Sequence, residues 1–291
     1  MEERLVHLSN GIGLNVKYKK NRGPALLFLH FSGGTNEMWN GVIPLFDKEY
    51  TIIAPDIRGH GKSDRPDTGY HIDDMANDIH LLLKELEINS CQIIGSSMGA
   101  EVGLSLAASH PEMIASIVCE GAMYNEFGEY GLFRGTEEEI TQEKERQLHE
   151  MNRRVLPVYP SIKQYTIEMQ KQLTEHGVWS DSFVSYFKSC LHENDQDQFE
   201  HHYKNHVRKE YIQKYWGLKF EEYYQKITCP VLFLPTEEEW ENEKIRQSTY
   251  FFASFLNSFK ILPLRDSMHA YVWMQHPGMA GETVRTFLEE Q

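Results

Sequence analysis

Hydrophobic and polar positions divide the chain into short apolar runs that alternate with longer segments of helical spacing. Six runs are continuous and apolar, which is typical of strands buried on both faces. These predicted strands are PALLFLH, YTIIAPD, CQIIG, IASIVCE, PVLFLPT and SFKILPL. Before them, two short alternating stretches, RLVHLSN and IGLNVKYK, flank the turn NGIG and predict a hairpin.

Helical segments lie between the predicted strands. The segment HIDDMANDIHLLLKEL places one set of apolar side chains on a single face: Ile72, Met75, Ile79, Leu82 and Leu83. The segments MGAEVGLSLAAS and GETVRTFLEE predict two further helices. Because strands alternate with helices, we expect an α/β fold, with a mostly parallel sheet flanked by helices.

This alternation stops at about Met123 and resumes at about Thr228. The residues between are rich in Glu, Gln, Lys, His, Tyr and Phe, and they show helical spacing without a clear buried strand. They carry too many aromatic side chains for a disordered linker. We therefore predict a core of residues 1–122 and 228–291, and a helical cap of residues 123–227, which we call the insertion.

Charge and composition narrow the choice of partners. The 291-residue chain has a formal net charge of −14, which repels phosphate backbones and anionic lipid, so we expect no nucleic-acid partner. The apolar runs are too short to span a bilayer, and the start lacks the apolar core of a signal peptide. The scattered cysteines form no C-x-x-C pair. We expect a cytoplasmic monomer or homodimer that binds a small-molecule substrate and no membrane.

The stretch GSSMG, residues 95–99, follows the predicted strand CQII and opens a helix. Its Gly-x-Ser-x-Gly pattern fits only with Ser97 at the centre, which leaves Ser96 as a neighbour. This context is that of a nucleophile elbow, in which the central residue is strained and the flanking glycines avoid collisions. The five-residue pattern alone fits an ordinary Gly/Ser turn equally well, so Ser97 is a candidate nucleophile that needs partners.

Three further stretches accompany this motif: FLHFSGGTNEMW, DIRGHGKSD and RDSMHAYVWMQHPGMAGETVRTFL. With these four signatures in this order, the chain resembles the α/β-hydrolase fold family, in the branch that carries a helical cap. The resemblance covers nearly the whole chain and is least clear in the insertion. It implies a catalytic triad in the order nucleophile, acid, histidine.

The resemblance assigns candidate triad residues by position. Ser97 matches the nucleophile, and His269 matches the histidine, although Met268 stands where the family usually has glycine. In PVLFLPTEEE, Glu239 stands where the family usually has an aspartate. Glu120, directly after the strand IASIVC, is the alternative acid, because some members carry the acid there. We favour Glu239.

The resemblance also implies an oxyanion hole made of the backbone N–H groups of Met98 and Ser32. Phe31 replaces the glycine that usually precedes the second donor in this family. The chain has no dinucleotide fingerprint. His202 and His206 of EHHYKNH, placed on one helix face, are more typical of a solvated surface than of a metal site. We expect no cofactor and no metal.

We infer a serine hydrolase that cleaves an ester, thioester or lactone of a small, moderately apolar substrate through an acyl-enzyme. A carbon–carbon bond hydrolase or lyase of the same fold, or a ligand-binding member without turnover, are the alternatives. We also expect a few aromatic residues of the insertion to line an apolar pocket above Ser97 and to favour uncharged over anionic substrates. The candidates are the early group, which is nearest in sequence to the catalytic strands, and a later group: Tyr124, Phe127, Tyr130 and Phe133, and Trp179, Phe183, Tyr186 and Phe187.

Overall fold

The computed structural model describes residues 1–121 and 123–291. The predicted end of the first core segment, residue 122, lies outside the described residues. The first part of the chain forms β1 (Glu2–His7), β2 (Gly13–Lys19), β3 (Ala25–Leu29), β4 (Thr51–Pro55), α1 (Ile72–Glu85), β5 (Cys91–Ser96), α2 (Met98–Ser109) and β6 (Ile114–Glu120). Single 3-10 turns cover Asn36–Trp39, Ile43–Leu45 and Pro111–Met113. The strands β1 and β2 pair antiparallel, which confirms the predicted hairpin.

The insertion contains both helices and short strands. Its elements are β7 (Asn125–Phe127), β8 (Gly131–Phe133), α3 (Glu137–Arg153), β9 (Val158–Tyr159), α4 (Ile162–Glu175), α5 (Phe183–Ser189), β10 (Leu191–Glu193), β11 (Phe199–His201), α6 (Asn205–Tyr215) and α7 (Phe220–Tyr224). Strand β7 pairs with β8, and β10, β11 and β9 form a small sheet. The sequence missed these strands because each spans only two or three residues and gives no apolar run.

The chain then returns to the large sheet. The remaining elements are β12 (Val231–Leu234), α8 (Glu237–Glu241), α9 (Glu243–Ala253), β13 (Phe259–Ile261), α10 (Val272–Gln275) and α11 (Pro277–Glu289). The large sheet has eight strands in the order β1-β2-β4-β3-β5-β6-β12-β13. The six strands predicted from continuous apolar runs are mutually parallel. Only the double-sided burial predicted for β13 was wrong among them, because β13 is an edge strand and Phe259 is 40% exposed.

The central strands are buried on both faces. In β3, Leu27 and Leu29 belong to the apolar cluster that includes α1 and α2, whereas Leu26 and Phe28 belong to a second cluster on the other face. The second cluster also contains Phe183 of the insertion, so the insertion packs directly on the core. In open α/β sheets, ligands bind at the carboxyl ends of the parallel strands.

Candidate active site

Ser97 occupies a sharp reversal between the end of β5 and the start of α2. Its backbone has φ 51° and ψ −121°, a strained conformation for a residue with a side chain. A Cβ on Gly95 would lie 2.5 Å from the Ala100 Cα, and one on Gly99 would lie 2.1 Å from the Leu29 carbonyl oxygen. Both glycines are therefore required by close backbone approach, and the turn has the geometry of a nucleophile elbow.

The two adjacent serines have different surroundings. Ser96 is fully buried, and its hydroxyl donates a hydrogen bond of 2.5 Å to Glu120 Oε2. Ser97 instead lines a cavity of about 520 Å³ at the carboxyl edge of the sheet. The cavity therefore exposes Ser97 to a bound molecule, whereas Ser96 is part of the core.

His269 lies in the loop before α10 and lines the same cavity as Ser97. The loop has left-handed backbone conformations at Asp266 (φ 51°) and Ala270 (φ 63°). Two hydrogen bonds hold this loop. The Ala270 N–H donates to Glu120 Oε1 at 3.1 Å, and the Gln275 side chain donates to the Asp266 carbonyl oxygen at 2.9 Å. The imidazole is 40% exposed, so it is accessible from the cavity.

Both candidate acids lie against the same nitrogen of His269. The Nδ1 atom is 3.3 Å from Glu120 Oε1 and 3.3 Å from Glu239 Oε1. Burial of the ring opposes protonation, but the two carboxylates outweigh it and raise the pKa of His269 well above its usual value. Glu120 and Glu239, which the sequence analysis treats as alternative acids, thus both contact the same imidazole.

Different elements hold the two carboxylates. The Glu120 side chain is completely buried, and besides Ser96 and the Ala270 N–H it accepts a hydrogen bond of 3.3 Å from the Trp273 indole. The Glu239 side chain is 12% exposed, and its Oε2 accepts hydrogen bonds from the Thr236 backbone at 2.9 Å and from the Thr236 hydroxyl at 3.0 Å. Glu239 is thereby part of the capping box of α8.

The two expected oxyanion donors lie at the ends of β3 and β5. Met98 is the first residue of α2, so its N–H has no acceptor within the helix. Ser32 follows β3, and its hydroxyl is hydrogen-bonded at 2.6 Å to the hydroxyl of Tyr203 from the insertion. Phe31 packs against Tyr186, with ring centroids 5.8 Å apart, so the phenyl ring is accommodated between the core and the insertion.

The cavity lining differs from the apolar wall expected from the sequence. It comprises Ser97, Glu101, Met123, Tyr124, Glu126, Gln147, Tyr211, Ile212, Tyr215, Trp216, Glu238, Glu239, Asn242, Ile245 and His269. Of the four early aromatic residues, only Tyr124 is among these described lining residues. Glu101, in the first turn of α2, was not among the predicted site residues, and no sequence pattern marked it.

One prediction about histidines was wrong. His202 does not share a helix face with His206, because α6 begins at Asn205 and His202 is 1% exposed. Potential ligand atoms of Cys190, His201 and His202 lie within 4.8 Å of one another. However, His202 Nδ1 accepts from the Gly61 N–H and His201 Nδ1 accepts from a backbone N–H, which leaves the proton of each neutral ring on Nε2. Among the described residues, His202 Nε2 has no hydrogen-bond partner.

The family assignment follows from sequence comparison. The profile of the alpha/beta hydrolase fold family matches residues 24–240, and the chain belongs to this family. A 2-(acetamidomethylene)succinate hydrolase of Mesorhizobium japonicum is 36% identical over 107 residues, 37% of this chain and 38% of that protein. 3-Oxoadipate enol-lactonase 2 of Acinetobacter baylyi is 37% identical over 95 residues, 33% of this chain and 36% of that protein. The chain thus matches little more than a third of the length of either relative.

Structural comparison extends the similarity to the whole fold. A solved structure of E-2-(acetamidomethylene)succinate hydrolase superposes with a TM-score of 0.78, covering 99% of both chains at 21% sequence identity. This similarity shows a common α/β-hydrolase fold. Within the described part of the chain, every helix is too short or too polar to cross a bilayer.

Proposed function

We propose that the protein is a serine hydrolase that cleaves an ester, thioester or lactone through an acyl-enzyme on Ser97. The observation that carries this proposal is the shared cavity of Ser97 and His269, with Nδ1 of the imidazole 3.3 Å from each of two carboxylates. A strained serine, a histidine base and a carboxylate are the groups that nucleophilic acyl transfer requires.

In the proposed mechanism, His269 takes the hydroxyl proton of Ser97 as the oxygen attacks the substrate carbonyl. The tetrahedral oxyanion accepts hydrogen bonds from the N–H groups of Met98 and Ser32, and the positive end of the α2 dipole adds to this stabilisation. His269 then returns the proton to the leaving group. In the second half-reaction, His269 takes a proton from a water molecule as the water oxygen attacks the acyl-enzyme, and it gives that proton to the Ser97 oxygen as the acid product leaves. Glu120 and Glu239 together orient the imidazole and stabilise its protonated form.

The substrate is proposed from the cavity and from the relatives. A cavity of about 520 Å³ is within the range of small-molecule sites. Met123, Ile212 and Trp216 of the insertion provide apolar contacts, and Ile245 of the core adds another. One relative is named a 2-(acetamidomethylene)succinate hydrolase and another a 3-oxoadipate enol-lactonase. We infer a small carbonyl substrate, with the insertion acting as the cap that selects it.

A panel of aryl esters, thioesters and lactones of increasing acyl length tests this function. Ser97→Ala is expected to lower kcat for every hydrolysed substrate by at least about a thousandfold, because the nucleophile is lost. The matched control is Ser109→Ala, an exposed position at the end of α2, which should retain wild-type rates. Equal rates for Ser97→Ala and wild type would contradict the proposal.

A further inference from the structure

The cavity around Ser97 has a strongly acidic lining. Four carboxyl groups line it, those of Glu101, Glu126, Glu238 and Glu239, and the described lining residues include no lysine or arginine. Glu239 contacts His269, but the other three carboxyl groups have no part in the proposed proton transfer. A negative potential in a partly enclosed cavity attracts cations and repels anions.

Glu101 is the carboxyl group of this set that is best placed to contact a substrate. It lies in the first turn of α2, directly after Ser97 at the helix N-cap, and both side chains line the same cavity. It is 5% exposed, and its Oε2 accepts a hydrogen bond of 2.7 Å from the hydroxyl of Tyr211 on α6. A group attached near the scissile carbonyl would therefore meet Glu101 when the carbonyl is at Ser97.

The surroundings of Glu101 favour a positively charged partner. Burial raises the pKa of Glu101 to about 7, against the opposing effects of the Tyr211 hydroxyl and of the charge on His269. Neighbouring protein groups thus offset the cost of burying the negative charge of Glu101 only in part. A charge-assisted hydrogen bond from a substrate ammonium would compensate it, and such bonds are stronger than neutral ones.

We propose that the substrate carries a protonated amine close to the scissile carbonyl, and that Glu101 is the specificity-determining residue that binds it. This inference rests on the proposed acyl transfer at Ser97. It replaces the preference for uncharged substrates expected from the sequence by a preference for cationic ones, because carboxylates rather than aromatic rings dominate the lining near Ser97.

Cationic side chains line a neighbouring pocket instead. Arg146, Arg154 and Arg208 line a space of about 430 Å³ that shares Gln147 and Ile212 with the Ser97 cavity. Arg146 is already paired with two glutamates of α3 at 2.5 Å each. An anionic substrate group would be drawn toward this pocket and away from Ser97, so a short anionic acyl chain should be a poor substrate.

Three phenyl esters with acyl chains of similar length test the inference: those of butanoic acid, β-alanine and succinic acid. We expect kcat/KM, measured above the Ser97→Ala background, to be about tenfold or more higher for the ammonium ester than for the butanoate. The succinate should be the slowest of the three. A butanoate rate equal to or above the ammonium rate, or a preference for succinate, would overturn the inference.

Two variants assign the preference to Glu101. Glu101→Gln retains an oxygen for Tyr211 but removes the charge, so the ratio of ammonium to butanoate kcat/KM should fall to near one. The control Glu145→Gln removes an exposed carboxylate of α3 outside the cavity and should keep the wild-type ratio. An unchanged ratio in Glu101→Gln would overturn the assignment.

The same experiment separates this inference from the function on which it depends. If the butanoate ester is hydrolysed above the Ser97→Ala background but the ammonium ester is not preferred, the serine hydrolase function is retained. Only the inference about a cationic substrate is then overturned. Hydrolysis of none of the three esters above that background would overturn both.

Discussion

Two glutamate carboxylates contact His269 from different surroundings, one at the end of β6 and one in the turn after β12. Glu120 is fully buried, and three donors other than His269 share its carboxylate. Glu239 is partly exposed, and its other oxygen caps a helix of five residues. One carboxylate is thus part of the core, whereas the other is supplied by a local turn.

Because Glu120 and Glu239 differ in burial and in hydrogen-bond partners, we expect them to have different roles. Replacement of Glu120 would disturb the neighbour of the proposed nucleophile and the loop of His269 at once, because Glu120 contacts both Ser96 and Ala270. Replacement of Glu239 would change mainly the charge next to the imidazole. We therefore expect Glu120 to control stability and loop geometry, and Glu239 to tune the basicity of His269.

The largest expected effect is the loss of stability in Glu120→Ala. Removal of this buried acceptor leaves the Ser96 hydroxyl, the Ala270 N–H and the Trp273 indole unpaired, which should lower the free energy of unfolding by about 3 kcal/mol or more. Glu239→Ala should cost about 1 kcal/mol, as for a charge at a helix N-terminus. Urea denaturation measures the free energy of unfolding of both variants. Equal losses would show that the two carboxylates contribute alike to stability.

A smaller effect is expected on the pH dependence of activity. His269 acts as a base only when it is neutral, and its pKa is raised, so kcat/KM should rise with pH well above the range of a free imidazole. Glu239→Gln removes one of the two charges that favour the protonated ring. The pKa of His269 should then fall, and the acidic limb of the profile should move to lower pH by about one unit.

The chain offers a matched control for this shift. Thr136 and Glu139 form the same capping box at the start of α3, with Glu139 Oε2 accepting from the Thr136 N–H at 2.7 Å. Glu139 is outside the cavity lining, so Glu139→Gln should leave the pH profile unchanged. If the acidic limb of the pH profile of kcat/KM does not move in Glu239→Gln, Glu120 alone sets the basicity of His269.

The sequence predicted the core better than the insertion for a physical reason. Strands of the parallel sheet are buried on both faces, so their apolar runs are continuous and were found, together with the elbow around Ser97. The strands of the insertion are short and half exposed, and Glu101 approaches Tyr211 only after the insertion packs on α2. Contacts between distant segments leave no periodic signal.

The choice between Glu120 and Glu239 could not be made from the sequence for the same reason. Strands β6 and β12 are separated by more than a hundred residues along the chain but are neighbours in the sheet, with Glu120 paired to Leu234. This pairing places the end of β6 beside the turn that carries Glu239. Two carboxylates on one nitrogen are therefore a consequence of strand order, which the sequence patterns did not determine.

The central claim is that Ser97 is the nucleophile of the site. A fluorophosphonate probe, followed by mass-spectrometric mapping of the adduct, tests it most directly, because such probes react only with activated serines. We predict a single adduct on Ser97 in the wild type, the same adduct in Ser96→Ala, and no labelling in Ser97→Ala. An adduct on Ser96, or unchanged labelling of Ser97→Ala, would contradict the account.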